Sequence, residues 1–192
     1  MTYRHVALMG RARTGKDTLA GRLVSMWAYT RVAFADPLKD MATALDPIVM
    51  YEPGGYGPLP VRLSDAVRRW GWERAKDSCP EVRRTLQRLG QAARDQDPDH
   101  WVSLAMDKIT TADRWNLPVV VTDVRHVNEC EALKNRGFAL VRVVRPGAPA
   151  LGANAQHESE TALDDYPADV TVANTGTLAD LHCAADRLVQ YR

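Results

Sequence analysis

Nine consecutive residues constrain this chain more than any others: Gly10-Arg11-Ala12-Arg13-Thr14-Gly15-Lys16-Asp17-Thr18. They follow the pattern GxxxxGK, after a short β-rich run at 3–9 and before Leu19, Leu23 and Met26/Trp27 at helical spacing. Glycines let such a turn wrap around phosphates with its N–H groups pointing inward. The helix that follows aims the positive end of its dipole at the same place. A strand, a glycine-rich turn and a helix in this order imply a nucleotide-phosphate site, with a purely structural turn as the bland alternative. Lys16 would reach the β- and γ-phosphates and neutralise charge as a phosphoryl group moves.

The motif departs from its usual form at one position. Ser or Thr normally follows the lysine and holds Mg²⁺, but here Asp17 stands there and the hydroxyl comes next, at Thr18. Asp17 could ligate Mg²⁺ through water, accept a proton, or cap the helix with its charge near the N-terminal dipole. Gly10, Arg13, Thr14, Gly15, Lys16, Asp17 and Thr18 are the expected ATP contacts of the loop, with Asp17 and Thr18 as metal candidates.

Downstream, short strand runs alternate with helical patterns. Strands are predicted over 32–35, 118–122, 138–144 and 169–173, and helices over 63–76, 81–95, 100–110, 127–136 and 178–188. Asp36-Pro37 reads as an N-cap followed by proline at the first helical position. Residues 52–60, dense in Pro and Gly, read as a loop without regular structure. Such alternation predicts a five-stranded parallel sheet flanked by helices. The helical block between the second and third strands would then be an insertion. The expected division is one domain: a core of about 1–45 and 111–192, an insertion of about 46–110 and a lid of about 145–162.

Ligands of open α/β sheets lie beyond the carboxyl ends of the strands. Asp36 and Lys39 follow the second strand there, as acceptor contacts or as an N-cap and a solvated amine. On the helix over 81–95, Arg84, Gln87, Arg88, Gln91 and Arg94 fall on one face that reads as free of acids, unlike an ordinary solvated face. Guanidinium forks suit phosphate oxygens and glutamine can read a base edge, so Arg84, Gln87 and Arg94 are acceptor candidates. Trp101 would either stack on a base or sit in the core. The third strand ends in Asp123, followed by Arg125 and Asn128. Asp123 suits a metal-water or an acceptor contact, Arg125 an acceptor phosphate and Asn128 a further acceptor contact, unless Arg125 simply pairs with Asp123. The fourth strand leads through Arg142 and Arg145 into an Ala/Gly/Pro-rich stretch and then His157-Glu158-Ser159-Glu160, a pattern suited to a lid that closes on phosphates and excludes water. Either arginine could be the lid cation. Asn174 and Gly176 follow the fifth strand and would either border the adenine or form a plain turn.

Composition excludes several alternatives. A formal net charge of +1 offers no global field for nucleic acid or an anionic membrane. No apolar run approaches the roughly 18 residues of a spanning helix. The run Val6–Met9 is too short for a signal peptide, so the expected location is cytoplasmic. The three cysteines stand apart without CxxC or metal spacing, which suits reduced thiols rather than disulfides or zinc.

Taken together, GRARTGKDT at 10–18, FADPLKD at 34–40, RTLQRLGQAARD at 84–95, VVVTDVRHVNE at 119–129, HESE at 157–160 and DVTVANTGTLADL at 169–181 resemble the phage-type deoxynucleoside monophosphate kinases. These are a branch of the P-loop kinases. The resemblance implies ATP and Mg²⁺ as donor and cofactor, a deoxynucleoside 5′-monophosphate as acceptor, a helical acceptor-binding insertion and a lid. It also implies a phage or bacterial setting and a monomer or homodimer. Asp after the loop lysine is customary in that family. Residues 45–80 lie outside the resemblance, which leaves the base open. Lys16, Asp17, Arg125 and Arg145 are the catalytic candidates, and Asp123 joins Asp17 and Thr18 as a metal candidate through water. The rival expectations are a kinase of the dephospho-coenzyme A or phosphomevalonate type, and a nucleotide sensor without catalysis.

Overall fold

A computed structural model describes residues 3–147 and 161–190. Residues 148–160 of the expected lid, including His157–Glu160, therefore lie outside the described residues. Five strands, β1 (Val6–Met9), β2 (Thr30–Val32), β5 (Val119–Val124), β6 (Ala139–Val144) and β7 (Val170–Ala173), form one sheet in the order β2-β5-β1-β6-β7. Every pairing in it is parallel. The helices among the described residues are α1 (Lys16–Trp27), α2 (Ala35–Leu45), α3 (Leu63–Ser78), α4 (Pro80–Gln96), α5 (His100–Arg114), α6 (Val127–Asn135) and α7 (Leu178–Arg187). None is long and apolar enough to cross a membrane.

Unbroken apolar strands follow from helices on both faces of the sheet. Along β1, Val6 and Leu8 pack with Leu19 and Leu23 of α1 and Leu181 and Ala185 of α7. Ala7 and Met9 point the other way, into a cluster with Ala105 and Ile109 of α5 and Cys130 and Leu133 of α6. The same alternation runs through Val119, Val120 and Val121 of β5. Both layers bury apolar surface worth roughly 25 cal/mol per Å², so a polar residue on either face would cost stability. One polar side chain is nevertheless buried at the amino end of the sheet. His5 accepts the Val119 N–H at Nδ1 (2.9 Å), which leaves Nε2 to carry the proton towards Asp113 Oδ1 at 2.9 Å.

The chain divides into two compact units, residues 1–34 with 102–192, and Ala35–Trp101. The second unit thus takes in α2, which the expected division places in the core. It has its own core, in which Ala42, Val49, Val61, Leu63, Ala66, Ala75 and Val82 are buried together.

Three local expectations need correction. The stretch 52–60 is flanked by strands: β3 (Ile48–Glu52) and β4 (Leu59–Arg62) form an antiparallel hairpin. Pro60 pairs opposite Tyr51, and a two-stranded ribbon tolerates proline because both of its strands are edges. The second core strand is Thr30–Val32, set by pairing with Val119–Val121, rather than 32–35. The helix after it starts at Ala35, so Asp36 lies in its first turn instead of capping it.

Candidate active site

Parallel register brings the carboxyl ends of four strands together. Met9 pairs with Val124 and Arg142, and Val144 pairs with Ala173. The residues that follow, Gly10, Arg125, Arg145 and Asn174, therefore leave the sheet at one edge, where an open parallel sheet binds its ligand.

The loop Gly10–Gly15 turns through positive φ at Gly10 (132°), Arg13 (63°) and Gly15 (107°). Glycine is required twice at position 10, since an added Cβ would also lie 2.3 Å from the Val143 carbonyl oxygen. At Gly15 a Cβ would come within 2.6 Å of Asn174 Nδ2. That amide instead donates to the Thr14 carbonyl at 2.9 Å and ties the end of β7 to the loop. Thr14 Oγ1 donates to the Arg11 carbonyl at 2.9 Å, closing the turn from inside. Lys16 is only 8% exposed, and its Nζ donates to the carbonyls of Gly10 and Arg11, both at 2.7 Å. The ammonium is thus held over the loop by neutral acceptors, which a phosphate oxygen would outbid through charge-assisted bonding.

A cavity of about 380 Å³ opens beside this loop, lined by Arg13, Gly15, Lys16, Asp17, Thr18, Arg145, Asn174, Gly176, Thr177, Leu178 and Leu181. The size suits a small ligand, and the lining combines cations and loop amides with two leucines. Its far wall is rigid because Thr177 caps α7 reciprocally with Asp180. The Thr177 hydroxyl and backbone hold the Asp180 carboxyl below its ordinary range. Asp17 and Thr18 are exposed on the first turn of α1. Among the described residues no three His, Cys, Asp or Glu side chains gather into a metal cage. A hydroxyl and a carboxylate lining the cavity fit Mg²⁺ all the same, because that ion keeps several waters and takes only one or two protein oxygens.

The β5–α6 turn carries the next group of candidates. Asp123 Oδ1 accepts the Phe34 N–H at 2.9 Å, joining the ends of β5 and β2. Glu129, 5% exposed, accepts the backbone N–H groups of Arg125 (2.7 Å) and His126 (3.1 Å) through one oxygen. This fixes the turn from which Arg125 projects, with Asn128 in the first turn of α6.

The two arginines at the end of the fourth core strand are placed differently. Arg142 donates to the carbonyls of Leu163 (2.8 Å), Asp164 and Tyr166, so it anchors the segment after the expected lid. Arg145 is exposed and lines the cavity. Arg11 reaches the same anchored segment, with Nη2 2.5 Å from Asp164 Oδ2.

In the second unit the arginine face of α4 is not free of acids. Glu81 pairs with Arg84 at 3.1 Å and lies 3.5 Å from Arg88, while Gln91 donates to Asp95. Helical spacing of three, four and seven residues brings these acids onto the face. Gln87 and Arg94 are partly buried. Trp101 is 3% exposed and its indole N–H donates to the Gly90 carbonyl at 3.2 Å, so its ring is used in packing rather than offered to a base. Asp36 and Lys39 stand 3.8 Å apart on α2.

The sequence model of the deoxynucleotide monophosphate kinase family matches residues 71–184, more than half of the chain. The chain belongs to the deoxynucleotide monophosphate kinase family. The matched span contains α4, the β5–α6 turn, Arg145, Asn174 and Gly176, while the phosphate loop lies outside it. The chain is similar to the deoxynucleotide monophosphate kinase of Escherichia phage RB69, 28% identical over 143 residues, covering 71% of this chain and 55% of that protein. A putative deoxynucleotide monophosphate kinase of Acanthamoeba polyphaga mimivirus is 26% identical over 189 residues, covering 92% of this chain and 91% of its own length. The uncharacterized protein ORF77 of Ictalurid herpesvirus 1 is 36% identical over 102 residues, 52% of this chain and 44% of that one. The chain spans about half the length of the herpesvirus and RB69 relatives.

Several parts of the candidate site carry no signal in the local sequence. Leu181 lines the cavity from within α7, where its spacing marks it only as core. Glu129 completes a capping box with His126 at the N-cap, and histidine there conceals the usual Ser/Thr-x-x-Glu signature. The pairing of Arg11 with Asp164 spans 153 positions, and no local pattern announces it.

Proposed function

We propose that this chain transfers the γ-phosphoryl group of ATP to the 5′-phosphate of a deoxynucleoside monophosphate, giving the diphosphate and ADP. The observation that carries this reading is the shared cavity of Lys16, Asp17, Thr18, Arg145 and Asn174 in a member of the deoxynucleotide monophosphate kinase family.

The bond between the γ-phosphorus and its bridging oxygen breaks as an oxygen of the acceptor's phosphate bonds to the same phosphorus, in line. Such a transfer asks the protein for positioning and charge neutralisation rather than covalent chemistry. The turned loop offers inward amides to the β-phosphate. Lys16 leaves the carbonyls of Gly10 and Arg11 for the β- and γ-oxygens, and Arg145, which lines the same cavity, neutralises charge on the moving group. Thr18 and Asp17, with Asp123 through water, would hold Mg²⁺, which neutralises charge on the transferring phosphates. Asn174 and Gly176 border the donor's base. Arg125 holds the acceptor phosphate from its fixed turn. Arg84, Arg94, Gln87, Asn128, Asp36 and Lys39 supply the remaining acceptor contacts. A phosphate acceptor is already ionised at neutral pH, so the reaction needs no general base, and Asp17 serves the metal rather than the proton.

The test is ADP formation from ATP-Mg²⁺ with a panel of ribo- and deoxynucleoside monophosphates, for wild type and Lys16→Ala. Turnover that requires a deoxynucleoside monophosphate, and falls at least a hundredfold in the variant, is expected. ATP binding without stimulation by any monophosphate would end this reading in favour of a metabolite kinase or a sensor.

A further inference from the structure

The phosphate loop is held at both ends by residues far away in sequence. At its far end the Asn174 amide donates to the Thr14 carbonyl at 2.9 Å. At its near end Arg11 reaches both oxygens of Asp164, with Nη2 2.5 Å from Oδ2 and Nε 3.4 Å from Oδ1. A planar guanidinium set on a carboxylate in this way fixes direction as well as distance. Gly10 and Gly15 have no side chains with which to anchor the loop.

Asp164 is itself firmly placed. Its carbonyl accepts from Arg142 of β6, as do the carbonyls of Leu163 (2.8 Å) and Tyr166. Leu163 is buried in the cluster that contains Ala7 and Met9. Gly10 lies against the next residue of β6, since a Cβ there would come 2.3 Å from the Val143 carbonyl oxygen. A closed circuit of contacts thus runs from β6 through Arg142 to Asp164, across to Arg11, and through Gly10 back to β6. The backbone carbonyl of Arg11 accepts both Lys16 Nζ at 2.7 Å and Thr14 Oγ1 at 2.9 Å. The residue whose side chain is tied to Asp164 is therefore one of the two whose carbonyls hold the loop lysine.

The fold gains little from this pair. Its side chains are 57% and 42% exposed, and an ion pair so open to water adds little stability. Its place on the loop gives it a different effect, because a loop already held in shape loses less freedom when it closes on a ligand.

We infer that Arg11 and Asp164 are positioning residues for the nucleoside triphosphate. Their ion pair keeps the near end of the phosphate loop, and with it the Arg11 carbonyl that holds Lys16, in the shape that receives the phosphates. This rests on the proposed donor and adds two side chains that the transfer mechanism does not use. The pairing commits the Arg11 guanidinium to a carboxylate, so Arg11 acts through the loop and not as a phosphate ligand.

The experiment is calorimetric titration with ATP-Mg²⁺ of wild type, Arg11→Ala, Asp164→Ala, the double variant and Asp164→Glu. Each alanine variant is expected to weaken ATP binding about three- to fivefold, from the ordinary strength of an exposed ion pair. The double variant should match either single within about twofold, because one interaction is lost in all three. Asp164→Glu, which keeps a carboxylate, should recover most of the loss. Thermal midpoints should stay within about two degrees of wild type throughout. A direct phosphate contact by Arg11 predicts the opposite for Asp164→Ala, where the freed guanidinium would leave ATP binding unchanged or stronger, and that result overturns the inference. Additive losses in the double variant overturn it as well, as do lowered midpoints with unchanged ATP affinity. Should Arg11→Ala fail to fold, Asp164→Asn leaves the loop's own residues intact and is compared with Asp164→Glu in the same way. A wild type that binds ATP without transferring its phosphoryl group defeats the transfer reading alone, and the binding series still judges the pair. A wild type that binds no triphosphate defeats both.

Discussion

The side-chain amide of Asn174 donates to the backbone carbonyl of Thr14 across 2.9 Å, joining the end of β7 to the phosphate loop over 160 positions of sequence. The same amide occupies the space a side chain at Gly15 would need. The shape of the loop therefore depends on a residue from the far end of the chain. Asn174→Ala leaves the Thr14 carbonyl without this donor and frees the loop to relax. A net loss of about 1 kcal/mol is expected, equivalent to roughly fivefold weaker ATP binding. Calorimetric titration with ATP-Mg²⁺ measures it, and unchanged affinity would count against the tie.

Arg142 and Arg145 separate stability from chemistry. Arg142→Ala strands the carbonyls of Leu163, Asp164 and Tyr166 and is expected to lower unfolding free energy by about 2 kcal/mol. Arg145→Ala removes an exposed cation and should leave the thermal midpoint within about a degree while kcat falls at least tenfold. Denaturant melts beside steady-state kinetics test both. A stable but inactive Arg142→Ala would reverse the assignment.

Asp186 should make stability sensitive to acid. Its carboxylate accepts Arg22 Nε (2.9 Å), Arg22 Nη2 (2.8 Å) and Trp27 Nε1 (2.8 Å), linking α7 to α1. The Arg22 bonds first, then the indole, bring its pKa from the ordinary 3.8 down to about 2. A carboxyl depressed in the folded state adds stability that is complete above 3.8 and is lost as pH falls towards about 2. Asp186→Asn is therefore expected to flatten the stability curve across that window. Urea melts of both proteins between pH 6 and about 2.5 provide the comparison. Parallel curves would show that the carboxylate does not titrate as described.

Much of the fold was legible because it rests on local rules. Val119–Val121 could only be a strand covered on both faces, and Gly10 and Gly15 bracket a turn that few other residues could make. The β3–β4 hairpin was hidden because its strands carry Pro60 and expose most of their side chains, which leaves Val49 and Val61 as the buried residues to signal it. The acids beside the α4 arginines were missed because one stands in the first turn and the other in the last, outside a face counted only over its middle.

The chain's own order of residues determined the phosphate loop, the parallel sheet, and which elements carry Lys16, Arg125 and Asn174. Those follow from periodicity, glycine spacing and strand–turn–helix order, all of which act within a few residues. Tertiary structure alone decided the partners. Lys16 rests on loop carbonyls, Arg142 is committed to the segment at 163–166, Trp101 is closed off, and Lys39 lies over the ring of Trp72. Such choices depend on distances between residues far apart in sequence, and burial and hydrogen bonding settle those distances only once the whole chain is folded.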